Sequence, residues 1–271
     1  MFAYLWGLLR QRGGVRAGAT CLALIAATAF LLCARAHADE PGVAEAAADP
    51  ADAVAAKEIW SGAEVFGSTW ATYTGVTVAA GGIAQEGFRL RLTGGVSLRR
   101  VADGPMKAWS SQPFADALAG WQWQIGAVTL KAFAGVTGNA ELRSSEPAFA
   151  AVRDLRIGPK VALETWWTID PINWASLDVS FAGPQSFLWS RARYGTRLLP
   201  QVSLGPEVGF AGDVAKLGGR IGAFARFDWD TGEIALAGGF TRSGSTIAGR
   251  EDRSEDATNS RYLTVLWLQR F

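Results

Sequence analysis

The chain has 271 residues, of which 49% are hydrophobic and 19% charged, and its formal net charge is +1. Both cysteines (Cys21, Cys33) and the one histidine (His37) fall within the first 38 residues. A chain cut after them has no disulfide, no zinc site of the usual type, no cysteine nucleophile and no histidine-based triad. Four arginines (10, 12, 16 and 35) leave with that segment, so 22 basic residues face 25 acidic ones, which excludes the balance of a nucleic-acid binder.

Taken in chain order, Arg10, Arg12 and Arg16 precede an apolar run from Ala17 to Cys33, and Ala36-His37-Ala38 offers a small-x-small site. This predicts a cleavable secretory signal peptide over 1–38, with Ala38 and Asp39 flanking the cut. The rival is an uncleaved anchor, but a run of 17 residues is short of the ~20 that a spanning helix needs. Residues 39–58 are Ala-rich, acidic and free of aromatics, and predict a flexible leader, with a short helix over Ala51–Lys57 as the alternative.

From Ile59 to Phe271 the dominant period is two. Phe88, Leu90 and Leu92 alternate with Arg89, Arg91 and Thr93, and Ala175, Leu177, Val179 and Phe181 alternate with Ser176, Asp178 and Ser180. Each such segment has one apolar and one polar face. Twelve strands are expected, at 59–66, 70–79, 88–101, 117–125, 128–141, 158–169, 174–181, 187–196, 201–211, 217–229, 233–241 and 260–271. Several reach the ~9–11 residues that cross a bilayer with tilt. The even connections are short except at 80–87, while the odd ones include three long stretches, 102–116, 142–157 and 242–259. Short turns at one end and long loops at the other are the habit of membrane barrels. The fold expected for 59–271 is therefore all-β: an antiparallel up-and-down transmembrane β-barrel of about 12 strands. A closing strand that ends on Phe271 agrees with it, although Gln269 interrupts its apolar face. A lipocalin-like soluble barrel alternates equally well with its apolar face inward, and periodicity alone does not choose between the two.

Eight tryptophans, Trp60, Trp70, Trp121, Trp123, Trp166, Trp167, Trp174 and Trp189, lie near predicted strand ends. They are expected in aromatic girdles at the headgroup level, the other reading being platforms for sugar rings. Trp109 and Phe114 fall in the predicted loop 102–116 and are the candidate polysaccharide contacts. Opposite the apolar stripes stand Arg89, Arg91, Arg99, Lys131, Lys160, Arg191, Arg193, Arg220 and Arg226, with Glu164, Asp178, Glu207 and Asp228. These predict a charged lumen with a cationic excess. Such a lumen either favours anions and hydroxyl-rich chains or pairs its charges and fills itself. Neither Asp228/Asp230 nor the Gly-Gly pairs stand in a setting for acid–base or phosphate chemistry, so no enzyme, cofactor or metal is expected.

Five segments carry a family resemblance: Trp60-Ser61-Gly62, residues 86–95 (EGFRLRLTGG), 126–135 (GAVTLKAFAG), 190–195 (SRARYG) and 204–208 (LGPEV). In order and spacing they resemble the alphaproteobacterial cellulose biosynthesis protein BcsS family. The resemblance implies a non-enzymatic barrel in outer-membrane lipid, beside a cellulose synthase system, with cellulose or that system's components as partners. It supplies no catalytic residues.

Overall fold

The computed structural model describes residues 56–103, 106–144, 151–213, 217–242 and 259–271. The predicted signal peptide, its cut at Ala38/Asp39 and nearly all of the leader lie outside the described residues. Twelve strands follow in order: β1 (Lys57–Phe66), β2 (Thr69–Ala79), β3 (Gly87–Asp103), β4 (Met106–Ile125), β5 (Val128–Ser144), β6 (Ala151–Thr168), β7 (Asn173–Ala182), β8 (Phe187–Leu199), β9 (Val202–Gly212), β10 (Leu217–Trp229), β11 (Gly232–Arg242) and β12 (Asn259–Arg270). Each pairs antiparallel with its chain neighbours, and β1 pairs with β12, so the sheet closes into a barrel with no free edge.

The register gives the barrel's dimensions. Paired residues traced from Phe66 through β2 to β5 arrive on β6 at Ala151; traced the other way, through β12 to β7, they arrive at Trp166. That offset around 12 strands corresponds to a strand tilt of ~40° and a backbone radius of roughly 12 Å. Strands β7 to β12 have 10 to 13 residues each. With that tilt they span roughly 25–30 Å along the axis, the height of a membrane barrel's apolar band.

The orientation of the two faces settles what periodicity left open. Leu90, Leu92, Val136, Ile157, Phe210, Ile221, Leu236 and Phe240 point outward and are exposed, while Thr77, Arg89, Arg91, Gln122, Ser203 and Glu207 are buried inside. A soluble barrel would have the reverse. This outside suits hydrocarbon, and a closed barrel satisfies every ladder hydrogen bond without water.

The structure corrects three expectations. The segment 102–116 is not a loop: β3 and β4 run on and pair as far as Asp103↔Met106. In the same way β5 and β6 take up most of 142–157. Beyond the lipid band no apolar face is required, so the alternation that marks strands lapses on much of β4 and β5 although pairing continues, while β6 keeps it at Leu155 and Ile157. The connection 243–258 lies outside the described residues. Glu58 is not in the leader but on β1, buried in the bore. Finally, only part of the tryptophan set is a girdle. Trp70, Trp121 and Trp123 are exposed on the outside. Trp60, Trp166, Trp174 and Trp189 pack with interior residues, and glycines make the room: a Cβ at Gly75 would lie 2.3 Å from Trp60, and one at Gly195 2.2 Å from Trp174.

Gln269, the flaw in the closing strand, has a local role. It accepts from Trp229 Nε1 at 3.2 Å and donates to Thr231 Oγ1 at 2.6 Å, binding the last strand to the β10–β11 turn.

Candidate functional site

Strand alternation brings the predicted lumen charges inside, where Arg91, Lys131, Lys160 and Arg220 meet partners from strands that are not neighbours, and Arg191, Arg193 and Arg226 meet partners on adjacent strands or their own. Arg91 of β3 donates from Nη2 to Glu164 Oε2 of β6 at 3.0 Å, and from Nη1 to Oε1. Its Nε donates to Thr77 Oγ1 at 3.1 Å, and its guanidinium lies 4.0 Å from the Phe133 ring centroid. Lys131 reaches Glu58 at 3.7 Å. Lys160 Nζ pairs with Asp116 at 2.5 Å.

On the other side of the bore, Arg191 pairs with Asp178 at 2.6 Å and Arg193 with Glu207 at 2.6 Å. Glu207 also accepts from Tyr262 Oη at 3.1 Å and lies 3.5 Å from Arg220, which in turn donates to Glu64 at 3.1 Å. Arg226 holds Asp228 and Glu233 at 2.6 and 2.8 Å. It also covers the Trp166–Trp174 stack, whose rings are 4.2 Å apart, at 4.6 Å from Trp166. Arg99 is exposed near the top of β3. Buried charges persist when paired and hydrogen-bonded; Arg91–Glu164, Lys131–Glu58 and Arg220–Glu64 reach across the bore, and the other pairs line its wall.

The expected cationic excess is corrected. Glu58, Glu64, Asp116 and Glu233 also face the interior, each in an ion pair. They nearly cancel it. Pattern hides them: Glu58 falls in the acidic stretch expected as a leader, Asp116 in the expected loop 102–116, Glu64 in a short strand of weak alternation, and Glu233 at the very start of its strand.

A second closure lies at the end of the barrel where β1 begins. The connection 80–86, the one long even connection, folds into the mouth. Ile83 is 6% exposed. Arg89, 1% exposed, donates from Nη2 to the carbonyls of Gly82 (3.0 Å), Ile83 (3.2 Å) and Gln85. Gln122 Nε2 donates to the carbonyls of Ile83 and Gln85 at 3.2 Å each, and Gln124 Nε2 to that of Ala84 at 3.1 Å. Gly82 has φ 112° and Gly87 φ 144°, conformations that only glycine takes readily, and they let the loop turn inward. Arg89 is thus a loop anchor rather than a lumen charge open to solute. Its sequence signal was the exceptional length of 80–87.

At the other end β3, β4, β5 and β6, with 17, 20, 17 and 18 residues, outrun the rest. The excess makes a four-stranded wall rising roughly 15 Å above the rim. Trp109 lies on β4 in that wall, paired with Arg100 and Ser144; its side chain is outside the described residues. Phe114 also lies on β4, half-buried on the interior face, its ring over Gly95, where a Cβ would be 2.6 Å away. Neither is on a loop.

An inside-out barrel with an apolar exterior and a paired polar interior is a transmembrane β-barrel, of the kind built as a surface accessory or a channel. Residues 59–257 match the family described as cellulose biosynthesis protein BcsS, and the chain belongs to that family. No curated protein matches the sequence. Among solved structures it is similar to the COG4313 outer membrane channel from Pseudomonas putida F1 (12% identity, TM-score 0.45, 86% of this chain and 100% of that one). It is also similar to the KdgM porin (11%, 0.44, 79% and 99%) and the CymD monoaromatic hydrocarbon channel (7%, 0.43, 85% and 95%). Scores this low at such identities carry no function across.

Proposed function

We propose that the protein is a non-enzymatic outer-membrane β-barrel, accessory to bacterial cellulose biosynthesis or secretion, and that it acts on the exit side rather than as the conduit. The observation that carries the second half is the double closure. The bore is bridged by ion pairs such as Arg91–Glu164, and one mouth is narrowed by residues 80–86, tethered inward by Arg89 and Gln122. A glucan chain needs a continuous path, and paired charges in a low-dielectric bore are not displaced by neutral hydroxyls without a large desolvation cost. What remains for contact is the wall of β3 to β6, with Trp109 and Phe114 among its residues. Family membership supplies the polysaccharide, and the apolar exterior supports a place in outer-membrane lipid.

The test is genetic. Deletion should lower cellulose yield or its attachment to the cell. The unaltered gene should restore it, and a Trp109→Ala/Phe114→Ala gene should restore less. Cellulose unchanged by the deletion overturns the reading, and steady ion conductance through the purified protein would favour a diffusion channel instead.

A further inference from the structure

The wall has two chemically different sides. Its outer side carries Leu155 and Ile157, 66% and 72% exposed. On its inner side one cross-strand row runs unbroken from β3 to β6: Gly95↔Phe114, Phe114↔Asn139 and Asn139↔Arg156. The row faces inward because Asp116 and Lys160 belong to the same faces of β4 and β6 and pair within the bore. It sits at the foot of the wall, above the ion-pair layer. With strands ~4.8 Å apart, the three side chains span about 10 Å, comparable to two sugar rings end to end.

We infer that this row, Phe114–Asn139–Arg156, is a binding strip for a neutral, extended β-glucan chain laid across the mouth of the barrel. The inference rests on the proposed function for the identity of the polymer; its place comes from the geometry. A β-linked glucan presents two kinds of surface, flat C–H faces and edges of paired hydroxyls. Phe114 is a ring that occupies the space a side chain at Gly95 would take, and an aromatic ring suits a C–H face. The Asn139 amide both donates and accepts, and Arg156 presents its Nη1 donors on the edge away from Asp154, matching hydroxyl edges. The charge of Arg156 is already answered: Asp154 takes its Nε at 2.6 Å and its Nη2 at 2.5 Å. Beside it Ser110 donates to Glu141 at 3.3 Å. A neutralised strip of planar polar groups discriminates against anionic polymers, which need uncompensated bases. The closures beneath it make it a place where a chain rests, not one through which it passes.

The test uses the full-length protein, purified in detergent, titrated with cellohexaose and separately with an oligogalacturonate of the same length. Each variant is first checked for heat-modifiable migration, which marks a closed barrel. Phe114→Ala, Asn139→Ala and Arg156→Ala should each weaken cellohexaose binding roughly 3- to 10-fold. Phe114→Tyr should retain it, and Ile157→Thr on the outer side should leave it unchanged. Cellohexaose binding that ignores the three inner variants overturns the strip while leaving the cellulose role intact. Tighter binding of the oligogalacturonate overturns the neutral-glucan assignment. No binding by the unaltered protein also overturns the strip, and the deletion phenotype then judges the proposed function separately.

Discussion

Arg91 on β3 and Glu164 on β6 clasp each other across the bore through two hydrogen bonds, with β4 and β5 between them on the barrel wall. Removing one partner strands the other. Arg91→Met should destabilise the barrel by about 3 kcal/mol, because an unpaired carboxylate then sits in the interior. The double variant Arg91→Met/Glu164→Met should lose less than Arg91→Met alone. Urea unfolding followed by tryptophan fluorescence reads the difference. A double variant as unstable as the sum of the two singles would show that the pair is not coupled.

The two closures should act in series. Arg89→Ala/Gln122→Ala removes most of the side-chain donors that hold residues 80–86 in the mouth, leaving Gln124, yet planar-bilayer recordings should stay silent because the ion-pair layer remains. Adding Arg91→Ala/Glu164→Ala should produce resolvable conductance steps. A quadruple variant that stays silent defeats this account of the seal.

The wall should face the cell exterior. Residues 39–271 contain no cysteine, so single introduced cysteines report topology cleanly. A membrane-impermeant maleimide added to intact cells should label Leu155→Cys in the wall and spare Ala127→Cys in the β4–β5 turn. The reverse pattern would invert the barrel.

The β6–β7 turn should depend on acid. Asp170 accepts from the backbone N–H of Ile172 at 2.8 Å and of Asn173 at 2.7 Å, and from Asn173 Nδ2 at 2.8 Å. Chiefly the Asn173 side chain, and then the two backbone donors, hold its carboxyl below the usual range. A lowered folded pKa means that the contribution is full above the unfolded value of about 4 and is lost as pH falls through the folded value. Protection of the Ile172 and Asn173 amides from hydrogen exchange, relative to the unstructured rate at the same pH, should fall only below about pH 4. Asp170→Asn, which keeps an acceptor oxygen, should remove that acid step; an unchanged step in this variant would assign it to another group.

The barrel was legible wherever lipid forces alternation. Leu90 and Leu92 against Arg89 and Arg91 report both strand and face, and the strand count follows from such segments. It was not legible above the rim, where Trp109, Gln112 and Phe114 continue β4 without an apolar stripe to reveal it. Interior basic residues were readable because a lone arginine among apolar neighbours has one tolerable side. Their acids were less so, since Glu58 and Asp116 lie where the pattern had already stopped. That Trp60 and Trp174 turn inward depends on Gly75 and Gly195 across the sheet, a pairing that register alone reveals. The row Phe114–Asn139–Arg156 is likewise a product of register, joining residues from three strands.

The tall strands occupy only four neighbouring positions of twelve. Among the described residues the molecule therefore has a front and a back about the membrane normal. On the proposed reading, the wall is a backstop for a polymer that arrives over the shorter strands among the described residues. On that reading, rotation of the barrel within the bilayer plane becomes a functional variable, because it sets which way the wall faces a neighbour.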